Sequence, residues 1–144
     1  MGAFKRVIVG VDGSENSLRA VETVKKLLGN GDLAVTLVHV VQPVFDTVGA
    51  YGHIDGASLL PMQEERGRTI LSDAKGILEK AGVACETQLV IGGRGEEICN
   101  LANSGEYDLV VVGRRGLNRI EELLLGSVSS YVVRHSRVPV MVVQ

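Results

Sequence analysis

A chain of 144 residues, 45% hydrophobic and 22% charged, has the size and balance of one globular domain spanning residues 1–144. Fifteen Lys and Arg against seventeen Asp and Glu leave a net charge of −2, and the chain has no Trp, two Phe and three Tyr; both facts remove the case for a nucleic-acid partner. Apolar runs fall far short of the ~20 residues a membrane span needs, and Lys5-Arg6 directly before a strand-like run leaves no signal-peptide layout.

A cytoplasmic location is therefore expected. Met1-Gly2 opens like a myristoylation signal, but Arg6 stands where that motif wants Ser or Thr. Cys85 and Cys99 are isolated and outside any C-x-x-C pattern, which fits reduced packing residues.

In chain order, Val7–Val11 is β-branched and apolar, a central-strand pattern. Asp12-Gly13-Ser14 forms a turn, and Ser14 or Ser17 caps a helix that runs to Leu28 with Leu18, Val21, Val24 and Leu28 on one face. Gly29-Asn30-Gly31-Asp32 closes it. A second strand, Ala34 to Val41, stops at Pro43. Residues 42–61 are the least regular stretch, with Gly49, Gly52 and Gly56 between Pro43 and Pro61; a connection of that length is usually functional or mobile.

The next helix reads from Met62 to Ala81, with Ile70, Ala74, Ile77 and Ala81 as its apolar stripe, and Gly82 ends it. A third strand is Ala84–Ile91. Gly92-Gly93-Arg94-Gly95 leads into a short helix from Glu96 to Asn103, and Leu109–Val112 is a fourth strand. Val128, Tyr131, Val132 and His135 mark a helix opening at Gly126-Ser127, and Pro139 introduces a last strand, Val140–Val143. Five strands alternating with helices predict a three-layer α/β sandwich on a parallel sheet.

The informative stretch is LVVVGRRGLNRIEELLLGSVSS, from Leu109 to Ser130. An apolar strand ends in Gly113; Gly116 and then Gly126-Ser127 follow. Glycines here allow positive φ or close approach of a ligand to the main chain. A helix beginning at Gly-Ser presents free N–H groups and a positive dipole end, both suited to phosphate. Gly is 18 of the 144 residues, so a glycine pair alone says little; the whole spacing, placed between strand and helix, says much more. Neither G-x-G-x-x-G nor G-x4-G-K-[S/T] occurs, which excludes a dinucleotide fingerprint and a P-loop.

Gly113-x2-Gly116-x9-Gly126-Ser127 resembles the nucleotide signature of the universal stress proteins, in the branch that binds ATP. The resemblance extends over nearly the whole chain, through KRVIVGVDGSENS, VTLVHVV, EYDLVVVGRRG and VPVMVV. It implies a Rossmann-like sheet of order 3-2-1-4-5 of the adenine nucleotide alpha hydrolase-like type, whose winding switches between strands one and four. Ligands of open parallel sheets bind at such a switch, beyond the strands' carboxyl ends.

By resemblance, the backbone at Val11 and Asp12 with the Val40 wall would frame adenine. Asp12 would accept from base or ribose, while Gly113, Arg114 and Gly116 would bend around ribose and phosphates. Gly126, Ser127, Val128 and Ser129 would supply N–H groups and hydroxyls to the phosphate tail. The family often has a small hydroxyl residue after the first signature glycine. Here Arg114-Arg115 follows, either a solvated pair or a guanidinium that reaches the phosphates; Arg94 and Arg119 are further candidates at the entrance.

The resemblance further implies a stress-response regulator acting through its nucleotide state and through protein partners that the sequence does not name. It also implies a homodimer in which Val138–Val143 strands meet antiparallel; an apolar edge of this kind favours pairing with a second chain. ATP is the expected cofactor, with any Mg2+ brought by its phosphates. The alternative is a slow ATPase or an enzyme that phosphorylates its own Ser127, Ser129 or Ser130, but no general base adjoins these hydroxyls. An adenylating enzyme would want S-G-G-x-D-S after strand one, which Val11–Ser17 fits poorly, and the scarcity of aromatics disfavours a flavin carrier. His39, within a strand, reads as a packed, hydrogen-bonded side chain, and the spacing of His39, His53 and His135 gives no metal set.

Overall fold

The computed structural model describes residues 4–28, 32–43, 56–114 and 126–144. Among them the chain runs β1 (Arg6–Gly10), α1 (Glu15–Leu28), β2 (Ala34–Val41), α2 (Gly56–Lys80), β3 (Ala84–Ile91), α3 (Arg94–Ala102), β4 (Leu109–Gly113), α4 (Ser127–His135) and β5 (Val140–Val143). The strands form a parallel sheet of order β3-β2-β1-β4-β5, as expected.

The apolar runs of the central strands are continuous because both faces are covered. On one face Val7, Val9, Val35, Leu37, Leu109 and Val111 pack against α1 and α2. The intervening residues, among them Ile8, Val38, Val40, Val110 and Val112, meet α3 and α4. Thr36 also points to this second face, and its hydroxyl oxygen accepts the buried Tyr107 OH at 3.1 Å. The edge strands differ from the centre: β5 is half-buried throughout, and β3 mixes exposed with half-buried positions and has none fully buried.

Four expectations shift. The buried stripe of α1 is Ser17, Ala20, Val21 and Val24, while Leu18 is 37% exposed; true i, i+3, i+4, i+7 spacing starts one residue earlier than the apolar letters suggest. On α2 the most buried residues are Leu71, Ala74 and Leu78, with Ile70 and Ile77 at the margin and Ala81 exposed.

Residues 56–61, expected as irregular, belong to α2, which carries Pro61 inside it. Pro61, at the sixth helical position, lacks the N–H that would pair with the carbonyl of residue 57, a loss of one backbone bond; the helix runs through it, so it does not mark the boundary it suggests. The rest of the irregular stretch, 44–55, lies outside the described residues. α3 begins at Arg94, two residues earlier than predicted, because Gly93 takes the extended N-cap conformation.

Candidate functional site

The turn after β1 is built by its own side chains. Gly13 has φ +85°, a left-handed conformation that glycine adopts without strain. Asp12 Oδ1 accepts the Ser14 N–H at 2.9 Å, an Asx turn. Ser14 Oγ accepts the Ser17 N–H at 3.2 Å, the N-cap contact to the third residue of α1. Ser17 Oγ in turn donates to the Ser14 carbonyl at 3.0 Å and accepts the Asp12 N–H at 3.3 Å.

The start of α4 is built differently. Gly126 is its N-cap, at φ −65° and ψ 166°, with no side-chain cap. Its own N–H donates to the Arg114 carbonyl at 2.8 Å. Ser129 Oγ donates to the same carbonyl at 2.6 Å, and the Arg114 N–H donates to the Val143 carbonyl at 2.7 Å. Arg114 thus ties the end of β4 to α4 and β5 through its backbone. The N–H groups of Ser127, Val128 and Ser129 precede the first intrahelical bond, Ser130 N–H to the Gly126 carbonyl, and among the described residues no hydrogen bond takes them. Packing of α4 on α3 aims them: a Cβ on Gly95 would lie 2.8 Å from the Tyr131 side chain, so the two helices approach closely. At the far end Asn103 accepts the Arg137 N–H and donates to the His135 carbonyl.

Between these two turns lies a cavity of about 230 Å³ at the carboxyl ends of β1, β2 and β4. Eight of the ten residues expected at a nucleotide site line it: Val11, Asp12, Val40 and Gly113 from the strand ends, and Gly126, Ser127, Val128 and Ser129 from α4. Arg114 is not in its wall; Arg94 of α3 supplies the guanidinium there. Gly116, Arg115 and Arg119 lie outside the described residues.

Sequence reasoning missed Gly10, Ser17, Val38, Ile98 and Val112, which also line the cavity. Val38 and Val112 were legible as alternate-residue neighbours of Val40 and Val110 on one sheet face. Ile98 comes from a helix distant in sequence, and nothing local marks it.

The structure also changes three expected roles. Gly113 and Gly126 do not serve positive φ; Gly126 has negative φ and Gly113 is not among the positive-φ glycines. Gly113 is needed for close packing, since a Cβ there would sit 2.8 Å from the Asn16 carbonyl carbon. Val11 has no free backbone group: its N–H donates to the Val38 carbonyl at 2.8 Å, and its carbonyl lies 2.8 Å from His39 Nδ1. A carbonyl only accepts, so His39 carries its proton on Nδ1. Ser129, 1% exposed, spends its hydroxyl proton on Arg114, so only its N–H faces a ligand.

Val40 takes the part expected of Val11. The Val41 carbonyl accepts from Gly92 on the β3 side and the Val38 carbonyl from Val11 on the β1 side. Alternation along a parallel strand then directs Val40's N–H and C=O toward β1, past its last paired residue, Gly10, opposite Val38. Among the described residues no hydrogen bond takes them. The cavity therefore has an apolar slot (Val38, Val40, Ile98, Val112) with a backbone donor–acceptor pair at one end and three open amides at the other.

The thiols play no part in the cavity wall. Burial pushes Cys99 up, and burial together with Glu79 pushes Cys85 up against the opposing pull of Lys75, which disfavours the thiolate form of both.

Residues 3–144 match the model of the universal stress protein family. The chain is 33% identical over 144 residues to universal stress protein Rv1636 of Mycobacterium tuberculosis, covering 99% of this chain and 98% of that one. The solved structure of hypothetical protein MJ0577 superposes with a TM-score of 0.85 at 27% identity, over 99% of this chain and 96% of the other. A universal stress protein in complex with cAMP superposes with a TM-score of 0.70 at 29% identity, over 99% and 98%. With sheet order, signature and whole-length similarity in agreement, the chain belongs to the universal stress protein family.

Proposed function

We propose that the protein is an ATP-binding regulatory module that works as a homodimer in the cytoplasm. One observation carries the reading: a single cavity joins the unpaired backbone of Val40 to the uncapped N-terminus of α4. A donor and an acceptor side by side match the edge of adenine, and three amides on a positive helix end match phosphate oxygens. The ribose then lies between them, beside Asp12 and Gly113. The relative solved with cAMP shows that an adenine nucleotide suits a site of this family. Mg2+ in this reading arrives on the phosphates; among the described residues no group of three or more His, Cys, Asp or Glu could hold a metal.

Hydrogen bonds to a charged group contribute about 1.5–3 kcal/mol each, and the helix terminus adds ~0.3–1 kcal/mol. Against association costs of ~4–15 kcal/mol, three amides and a buried base lead to micromolar affinity, about −8 kcal/mol. Binding without turnover is favoured by the hydroxyls. The Ser129 proton is committed to Arg114, and Asp12, the one carboxylate of the wall among the described residues, has Oδ1 engaged by its own turn.

Dimerisation is supported by β5, whose half-buried Val140, Met141, Val142 and Val143 lie at the end of the sheet order with β4 on one side only. Among the described residues no helix is long and apolar enough to cross a membrane.

Calorimetric titration with ATP tests the binding, and light scattering of the same sample tests the dimer. Saturable micromolar heat is expected with ATP, with no loss of γ-phosphate over the time of the titration. Absence of heat at millimolar ATP sinks the nucleotide reading; steady phosphate release would transfer the protein to the enzyme class.

A further inference from the structure

A second cavity, of about 190 Å³, opens on the other side of Asp12 and Val40. The two cavities share Asp12, Val40 and Arg94, so they are compartments of one cleft, pinched where the nucleotide reading places the ribose. α2 closes the second compartment with Gln63, Arg66 and Ile70, and His39 adds a wall from β2. Gly67 makes this possible. A Cβ there would lie 2.6 Å from His39 Cδ2, so α2 comes down onto β2 and brings Arg66 to the cleft.

Among the described residues its charge is unbalanced: Arg66 and Arg94 face one carboxylate, Asp12, and neither guanidinium forms an ion pair. Arg68, two residues along the same helix, behaves otherwise and reaches Glu64 at 3.5 Å and Glu65 at 3.4 Å. Helix periodicity explains the contrast. The residues three and four away from Arg66 are Met62, Gln63, Thr69 and Ile70, none of them acidic. The other polar wall groups are partly spent, His39 Nδ1 on the Val11 carbonyl and Gln63 Nε2 on the Gln42 carbonyl, which leaves the guanidinium forks as the dominant donors.

We propose that the second compartment is a phosphate subsite for a nucleotide carrying a further phosphate on its ribose 3′ oxygen. A ribose held beside Asp12 has its 5′ chain directed to α4 and its 3′ oxygen at the pinch, facing Arg66 and Arg94. A planar guanidinium meets a phosphate monoester with two parallel hydrogen bonds, and such a phosphate turns the unbalanced positive charge into a matched pair. This subsite rests on the adenine-nucleotide reading above and adds to it a preference among nucleotides.

The test is calorimetry on the full chain at one ionic strength with AMP, ADP and adenosine 3′,5′-bisphosphate, on the wild type and on Arg66→Ala and Arg68→Ala. The bisphosphate should bind about tenfold or more tightly than AMP. Arg66→Ala should return it to within about twofold of AMP while ADP, which gains its phosphate on the 5′ chain, is unaffected; Arg68→Ala should change none of the three. A bisphosphate no tighter than AMP, or an Arg66→Ala variant that weakens ADP equally, overturns the subsite while leaving the nucleotide site standing. If AMP and ADP also give no heat, both proposals fall together.

Discussion

Two helices start at the carboxyl ends of the strands that flank the cavity, and they treat their first-turn amides in opposite ways. α1 caps with a side chain: Ser14 Oγ takes the Ser17 N–H, and Asp12 and Ser17 complete the hydrogen bonds of the turn before it. α4 starts from glycine and caps nothing with a side chain. Ser, Thr, Asp and Asn are preferred at N-caps because their oxygens fill orphan N–H groups; glycine at that position forgoes this stabilisation and leaves the amides for something else. On the nucleotide reading, the ligand side of the cleft is marked less by what is present than by a capping side chain left out. In the proposed reading the first is a structural joint and the second a binding surface, although both carry serines in the same topological setting.

The comparison can be broken most directly by giving α4 the cap that α1 has. Gly126→Asp places a carboxylate over the Ser127–Ser129 amides, in backbone geometry that suits an N-cap. ATP affinity should fall by about ten- to a hundredfold, from the loss of one or two charge-assisted hydrogen bonds, while the melting temperature holds or rises slightly. Titration calorimetry with a thermal melt reads both. Loss of affinity accompanied by equal loss of stability would mean that the glycine is structural.

The converse change is Ser14→Ala, which uncaps α1. It should cost about 1 kcal/mol of stability in urea unfolding, with ATP affinity in the refolded protein within about threefold of wild type, since Ser14 does not line the cavity. A large affinity loss without destabilisation would show that the α1 turn is itself part of the ligand surface.

The smallest effect lies at the opposite end of the sheet and sharpens the distinction between joint and surface. Asp108 accepts the N–H groups of Lys5 and Arg6 at 2.8 and 2.9 Å. Those two bonds hold its carboxyl below the usual carboxylate range, with a weaker pull from the charges of Arg6 and Lys5. A depressed folded pKa gives stability that is present above the unfolded value, about 3.9, and is lost as pH falls through the folded value. Asp108→Asn should therefore be slightly less stable than wild type near neutrality, and the gap should close below about pH 4. Unfolding curves across pH 3–7 check this. A gap that persists unchanged into acid would refute the linkage, and ATP affinity should not respond at all.

Much of this molecule is readable in one dimension. β2, β3 and β5 are found where the apolar runs place them, and the helix opening at Ser127 begins there. Burial on both faces forces continuous apolar strands, and local turn chemistry punctuates them, so the alternation of strand and helix follows from nearest neighbours alone. The nucleotide signature is likewise local, because a strand, a turn and a helix start must adjoin to make it. Proline misled at residue 61, since its cost depends on position within the helix, and the stripes of α1 and α2 moved because the tilt of a helix on the sheet is not written in its own letters.

The order of elements, the family signature and the hydrogen-bonding chemistry on offer at each turn are written in the amino-acid letters. Tertiary structure alone decided which of those groups remain unspent: that Val11 is fully paired while Val40 is open, that the Ser129 hydroxyl is consumed by Arg114, and that Ile98, Arg94 and Arg66 arrive at one cleft from distant helices. The physical reason is that a polar group becomes available to a ligand only when no other part of the chain reaches it. That is a property of the packed chain as a whole and of no single stretch.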